Sequence, residues 1–191
     1  MKLLFIQSDP FAWTGKMYLS AILKEANHEC EILIEPAEKD LITSIKNVSP
    51  DVVAFSPTTG VHHWALDRAR EIKKKLNSTI LFGGHHVTYY PQVIEHDFID
   101  IVCIGESEQA ILELFDKLKR KEDITNIKNL WVKKNGKVYK NDTRPLFDDL
   151  DSLPFPDRSL YYDRYDFLRN QKSREFIFQR GCPYKCSFCY A

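Results

Sequence analysis

The sequence predicts an α/β fold, a doubly wound parallel sheet with helices on both faces, and two observations carry that reading. From Met1 to about Lys121 short apolar runs alternate with amphipathic stretches, the pattern of strands buried on both sides and joined by helical crossovers. Most of these runs end in loops rich in Gly, Ser, Thr or Pro, where a strand would give way to its crossover.

Taken in order, the expected strands are Lys2–Gln7, Glu29–Ile34, 51–55, Thr79–Phe82 and 100–104. The first, around Leu-Leu-Phe-Ile, is too short an apolar run for a signal or membrane-spanning segment. Between the strands lie helical stretches at 16–26, Leu41–Val48, 63–76, 91–96 and 107–119. In the third, Ala65, Ala69, Ile72 and Leu76 recur at helical spacing; in the last, Ile111, Leu114, Phe115 and Leu118 share one face. Right-handed crossovers make the five-stranded arrangement flavodoxin-like, or Rossmann-like in the broader sense.

Beyond this unit, residues 130–139 form two alternating runs joined by Asn135-Gly136, a strong signal for a small β-hairpin. Residues 141–166 carry Pro145, Pro154 and Pro156 among many Asp, too polar and too broken for a core element. The expected organisation is a first domain with its hairpin over 1–140, a linker over 141–172 and the start of a second domain over 173–191. The run Glu175-Phe176-Ile177-Phe178-Gln179-Arg180 reads as the first strand of that second domain.

Composition narrows the function classes. Lys+Arg and Asp+Glu balance at 27 each, leaving no basic field for a phosphate backbone, so nucleic acid is not the expected partner. With no spanning segment in sight, a reducing, cytoplasmic location is expected. Cys30 and Cys103 sit in apolar, strand-like runs and read as buried small hydrophobes.

The remaining cysteines differ. Cys182, Cys186 and Cys189 stand as CxxxCxxC within Arg-Gly-Cys-Pro-Tyr-Lys-Cys-Ser-Phe-Cys, and three thiolates so close together can hold metal. Four-iron clusters normally take four Cys thiolates, so three alone leave one iron open to another ligand. A structural zinc site and three unrelated thiols are the competing readings. Zinc usually takes four ligands in closely spaced pairs, and neither a second pair nor a His follows Cys189.

In open α/β sheets ligands bind beyond the carboxyl ends of the strands. The loops there run Ser8 to Gly15, Ser56-Pro57-Thr58-Thr59-Gly60, Gly83-Gly84-His85-His86-Val87-Thr88 and Gly105-Glu106-Ser107-Glu108. Paired glycines let a backbone approach a ligand closely, and Ser and Thr supply donors. A tight turn is the alternative explanation of Gly83-Gly84.

The Cys array, with Phe188 just before its last Cys, resembles the signature of the radical S-adenosylmethionine superfamily. The loops together resemble the cobalamin-binding domain that precedes the catalytic barrel in one large class of those enzymes. That class includes B12-dependent methylases and the anaerobic oxidative cyclase of magnesium-protoporphyrin IX monomethyl ester. The shared stretches are 50–56, 82–88, 100–108 and 150–156, in that succession, and the resemblance covers nearly the whole chain. It implies a 4Fe-4S cluster on Cys182, Cys186 and Cys189, its free iron chelating S-adenosylmethionine. It also implies cobalamin held by Pro10, Phe11, Gly15, Ser56, Pro57, Thr58, Thr59, Gly83, Gly84, His85, His86, Gly105 and Glu106. The dimethylbenzimidazole tail would lie between loops 56–59 and 83–86, with the corrin over the sheet edge.

One departure has chemical content. Cobalamin domains of the methionine-synthase type carry Asp-x-His-x-x-Gly after the first strand, whereas here Asp9-Pro10 is followed by Phe11 and the Gly comes at Gly15. The implied state is base-off without a protein His, the lower cobalt face open to water or covered by Phe11 or Trp13. His86 would hydrogen-bond near the tail, while His62 and His63 read as capping or surface residues. The implied reaction is radical C-methylation or oxidative cyclisation of a small-molecule substrate held in the barrel. Such a barrel needs ~200 or more residues; with Ala191 ending the sequence just after the last Cys, the expectation is an N-terminal portion, inactive alone. Two other readings stand beside this one: a cobalamin carrier or sensor, and a flavodoxin-like domain binding another nucleotide.

Overall fold

A computed structural model describes residues 1–189. Its centre is a seven-stranded sheet in the order β2-β1-β3-β4-β5-β6-β7. The strands are β1 (Lys2–Gln7), β2 (Glu29–Ile34), β3 (Val52–Phe55), β4 (Thr79–Phe82), β5 (Ile101–Cys103), β6 (Leu130–Lys134) and β7 (Lys137–Lys140). The first five run parallel, and the β6–β7 hairpin joins antiparallel to β5, with Ile101 opposite Val132. The expected hairpin thus extends the sheet rather than standing apart, giving β5 a partner on its outer edge.

Helices α1 (Thr14–Glu25), α2 (Leu41–Val48), α3 (His62–Leu76), α4 (Gly84–Tyr89) and α5 (Glu108–Arg120) connect the strands. Strand pleating sorts the core: Leu3, Phe5, Val52 and Ala54 face α1 and α5, while Leu4, Ile6, Val53 and Phe55 face α2 and α3. Three expected strand ends, at residues 51, 100 and 104, fall away for identifiable reasons. The Asp51 carboxylate accepts from the Lys2 amide at 2.7 Å, which starts the β1–β3 pairing from a side chain. Asp100 turns its carboxylate to Lys73 and the Ile80 amide, and the Ile104 amide donates to the Asn129 carbonyl at 2.8 Å. The loop expected after β4 is helical from Gly84, although β-branched and aromatic residues are weak helix formers.

The segment 141–172 corrects the sequence reading. Its first part is irregular, but α6 (Ser159–Tyr162) and α7 (Asp166–Arg169) bury Leu160, Tyr161, Tyr165 and Leu168 in the same core as α1 and α5. The spacing of those four residues is helical, a signal masked by the charged residues between them. Polar anchors hold the segment down. Tyr165 receives the Ile34 amide at 2.9 Å and donates to Glu38 at 2.8 Å, and Asp157 accepts from Ser20 at 2.6 Å and Lys24 at 2.7 Å.

The expected strand over 175–180 is also absent: those residues are mostly exposed and pair with no neighbouring strand, which a strand needs to bond. Cys30 and Cys103 are buried, and burial pushes their thiols up to about 12 and about 11. No described helix is long and apolar enough to cross a membrane.

Because Leu168 is fully buried against the core, Leu168→Ala is expected to cost about 2–5 kcal/mol in denaturant unfolding, the range for large-to-small core changes. A loss under about 0.5 kcal/mol, typical of surface positions, would mean that α7 does not belong to the core.

Candidate functional site

The winding reverses at β1, which has β2 on one edge and β3 on the other, so the loops after β1 and β3 diverge and leave a crevice at the sheet's carboxyl edge. Gln7, the last residue of β1, is buried there with its amide fully engaged. Its Nε2 donates to the Asp9 and Phe11 carbonyls at 2.6 and 2.8 Å; its Oε1 accepts from Lys16 Nζ at 2.7 Å and the Tyr161 hydroxyl at 2.8 Å. The loop beyond is held by Asp9, which accepts from the Phe11 amide and from Trp13 Nε1 at 2.8 Å. Phe11 and Trp13 are thereby displayed on the rim, 57% and 45% exposed.

Lys16 is the residue that sequence reasoning missed. It lies in the first turn of α1, is buried, and lines a cleft of about 20 Å³ with Asp9, Ser56, Pro57 and Trp64. Burial pushes its ammonium down to about 7, opposed by the charge of Asp9. A lysine beside Met17 at the start of an apolar helix face was the available clue.

The loops after β3, β4 and β5 join into one rim. The His86 amide donates to the Pro57 carbonyl at 3.3 Å, His86 Nδ1 meets Thr59 Oγ1 at 3.2 Å, and the Gly105 amide donates to Thr88 Oγ1 at 3.1 Å. His62 is more than a cap or surface residue: its ring stacks on His86 with centroids 4.1 Å apart, and His63 approaches it at 4.0 Å. Burial lowers the pKa of His86, and the neighbouring His62 and His63 lower it further.

Three expected cofactor contacts have another role or none visible. Gly84 has φ of +82°, and a Cβ there would overlap Ser56 Oγ and stand 3.3 Å from Ser56 Cα. The close approach that paired glycines suggested is therefore made by the β3 loop. Gly15 has no atom within 4 Å of a would-be Cβ, so nothing in the fold requires glycine there. Glu106 spends both carboxylate oxygens on protein, accepting from the Phe147 amide at 2.8 Å and pairing with Arg180 at 3.0 Å. Pro10, Thr58, Thr59 and His85 are exposed at the carboxyl edge.

Cys182, Cys186 and Cys189 are exposed, and the Cys189 amide donates to the Cys186 carbonyl at 3.0 Å, closing a turn. Among the described residues no three His, Cys, Asp or Glu side chains already stand as a metal site. The donor set itself, three thiols in one short loop, fits a cluster with one open iron better than four-coordinate zinc. For cobalamin the fit is mixed. An aromatic rim and a buried cation suit a broad, amide-bearing ring, but the cleft beside Lys16 is only about 20 Å³, and loops 56–59 and 83–86, closed on each other through His86, Pro57 and Thr59, admit a nucleotide tail only if they part.

A crevice at this switch point, beneath a rim of loops from β1, β3, β4 and β5, defines a class of ligand-binding α/β domain, and comparison with known families identifies it. The chain belongs to the B12 binding domain family, whose model matches residues 10–115. Its relatives include an uncharacterized methyltransferase of Pyrococcus horikoshii, 33% identical over 92% of this chain and 39% of that protein. They also include the anaerobic magnesium-protoporphyrin IX monomethyl ester cyclase of Rubrivivax gelatinosus, 30% identical over 94% of this chain and 34% of that protein. The chain therefore spans little more than a third of these relatives' length. Among solved structures, the fold matches the radical S-adenosylmethionine methyltransferase TsrM from Kitasatospora setae with a TM-score of 0.65 at 17% identity, over 74% of this chain and 30% of that one. It matches the cobalamin-dependent radical enzyme OxsB with aqua-cobalamin bound at 0.70 and 17%, over 84% and 24%.

Two measurements probe this geometry. Gly84→Ala should cost about 1–2 kcal/mol, the penalty of a left-handed backbone with a Cβ, whereas Gly15→Ala in the first turn of α1 should be neutral or stabilising; equal effects in thermal unfolding would contradict the Ser56–Gly84 contact. Between about pH 7 and 10.5 the unfolded chain holds a proton on Lys16 that the folded chain lacks, so stability should rise with pH in that window by up to about 1.4 kcal/mol per unit. Lys16→Met should flatten that rise, and an unchanged slope in denaturant titrations across the window would place the ammonium in water.

Proposed function

We propose that this chain is the cobalamin-binding N-terminal region of a radical S-adenosylmethionine enzyme that acts on a small molecule by C-methylation or oxidative cyclisation. The observation that carries this is the pairing, in one chain, of a B12 binding domain with a CxxxCxxC array beyond it. On this reading the exposed rim of Phe11, Trp13 and Tyr89 supports the corrin, and Phe11 or Trp13 keeps water from its lower face. The loops 56–59 and 83–86 receive the tail, and Lys16 lies where an anionic or amide group entering the cleft would meet it. Cys182, Cys186 and Cys189 hold the cluster. Bound cobalamin supplies a cobalt centre for methyl or electron transfer, and the reduced cluster supplies the electron that cleaves S-adenosylmethionine. The residues of this chain bind and orient these groups, while substrate contacts belong to the barrel. The setting is cytoplasmic, where the thiols stay reduced.

Incubation with hydroxocobalamin followed by gel filtration should leave corrin absorbance on the protein, and electron paramagnetic resonance of the cob(II)alamin form should show no nitrogen splitting from an axial ligand. A clear nitrogen triplet would overturn the base-off, His-free assignment, and complete loss of corrin would overturn cobalamin binding. Anaerobic reconstitution of the protein extended through its barrel should give roughly four irons per chain, falling towards zero when Cys182, Cys186 or Cys189 is changed to Ala. A single zinc with no iron would leave a carrier or sensor module as the better reading.

A further inference from the structure

The segment that leads into the Cys array is fastened to the α/β domain just before the array. Arg180, two residues before Cys182, pairs with Glu106 at 3.0 Å through one guanidinium nitrogen and with Glu108 at 2.5 Å through another. Its guanidinium carbon lies 5.6 Å from the centre of the Tyr18 ring on α1. Around it, residues 171–179 and 181–189 are exposed, and the nearest upstream hold is an exposed one, the Glu175 carbonyl accepting from Arg158 at 2.8 Å. The receiving surface is built for a cation. Glu108 is only 6% exposed, and an ionised carboxylate so deeply placed requires a compensating charge. Glu106 extends the same node to the irregular segment, accepting the Phe147 amide through its other oxygen. One fork with several donors meeting two carboxylates is the geometry in which Arg is not replaceable by Lys.

We infer that Glu106, Glu108 and Arg180 form a clamp that sets the position of the Cys182–Cys186–Cys189 loop against the cofactor-bearing edge of the sheet. Glu106 and Glu108 belong to the loop that follows β5, whose Gly105 amide is bonded to Thr88 of the rim. The clamp therefore ties the cluster loop to the rim that faces the corrin. These are positioning residues, and the inference rests on the functional reading above, since a fixed separation matters only if both cofactors bind.

Two measurements separate the clamp from that reading. Trypsin must take the Arg180 side chain into its own acidic pocket, which the clamp prevents. On the cofactor-free chain, cleavage after Arg180, normalised to cleavage after the exposed Lys185, should therefore rise roughly tenfold in an E106Q/E108Q double variant, following the population of the released form. R180K, which keeps the charge but loses the fork, should give an intermediate gain and carries the test if the double variant does not fold. An unchanged ratio in both would overturn the clamp.

In the full-length protein loaded with hydroxocobalamin, iron and sulfide, pulsed electron paramagnetic resonance should report one narrow cob(II)alamin-to-cluster distance. E108Q, and R180K in parallel, should broaden or shift it with iron content and corrin retention unchanged. An unaltered distribution would reduce the clamp to a tether and overturn the positioning role. Failure of the unsubstituted protein to hold corrin or iron would overturn the functional reading, while the trypsin ratio would still decide the clamp.

Discussion

A single buried amide organises the carboxyl edge of this molecule. Gln7 ends the strand at which the winding reverses and is buried there, and a buried polar group must be fully bonded or it destabilises the fold. Two donors and two lone pairs find four partners: the Asp9 and Phe11 carbonyls, the Lys16 ammonium and the Tyr161 hydroxyl. That inventory shapes the β1 loop, places Phe11 and Trp13 on the rim, and draws α6 onto the first helix layer. The site is thus a consequence of satisfying one side chain as much as of ligand recognition.

The same logic explains how a polar, proline-broken stretch becomes part of the core. Residues 157–168 bring Leu160, Tyr161, Tyr165 and Leu168 into the core, and the polar anchors of the segment from 141 onward meet groups at the sheet margin. Tyr165 takes the Ile34 amide at the end of β2, and Asp157 takes Ser20 and Lys24 on α1. Arg144 meets Glu113 on α5 and the Asn129 side chain in the turn before β6. Hydrogen bonds to charged groups are stronger than neutral ones, and partly buried ones escape most of the screening that weakens surface pairs. Beyond α7 the chain is exposed, held by the Arg158 donation to the Glu175 carbonyl and then by Arg180.

Much of the fold was legible because strands buried on both faces read as uninterrupted apolar runs, and turn residues mark their ends. Lys2–Gln7, Glu29–Ile34 and Thr79–Phe82 appear with the expected bounds, as does the helix Leu41–Val48, which Asp40 caps through the Ile42 amide. The helix at Gly84–Tyr89 was not legible, because His, Val, Thr and Tyr are weak formers and its conformation is imposed by the neighbouring loops. In the candidate site, the loops were legible as Gly- and Ser-rich strand ends, whereas the roles within them were not. Gly84 answers to Ser56, Glu106 to Arg180 and Phe147, and His86 to His62 and Thr59, all pairings between residues distant in the chain.

Local chemistry by itself determined the strands, most of the helices, the hairpin turn at Asn135-Gly136 and the presence of a thiol array able to hold metal. These depend on spacing and on backbone preference within a few residues, which a sequence displays directly. Only the tertiary structure decided that the hairpin completes the sheet, that Tyr161 and Leu168 enter the core, that Lys16 is buried beside the crevice, and that Arg180 closes on Glu106 and Glu108. Most of those are contacts between residues far apart in the chain, fixed by which buried group lacked a partner once the sheet had formed, and no pattern local to either residue encodes them.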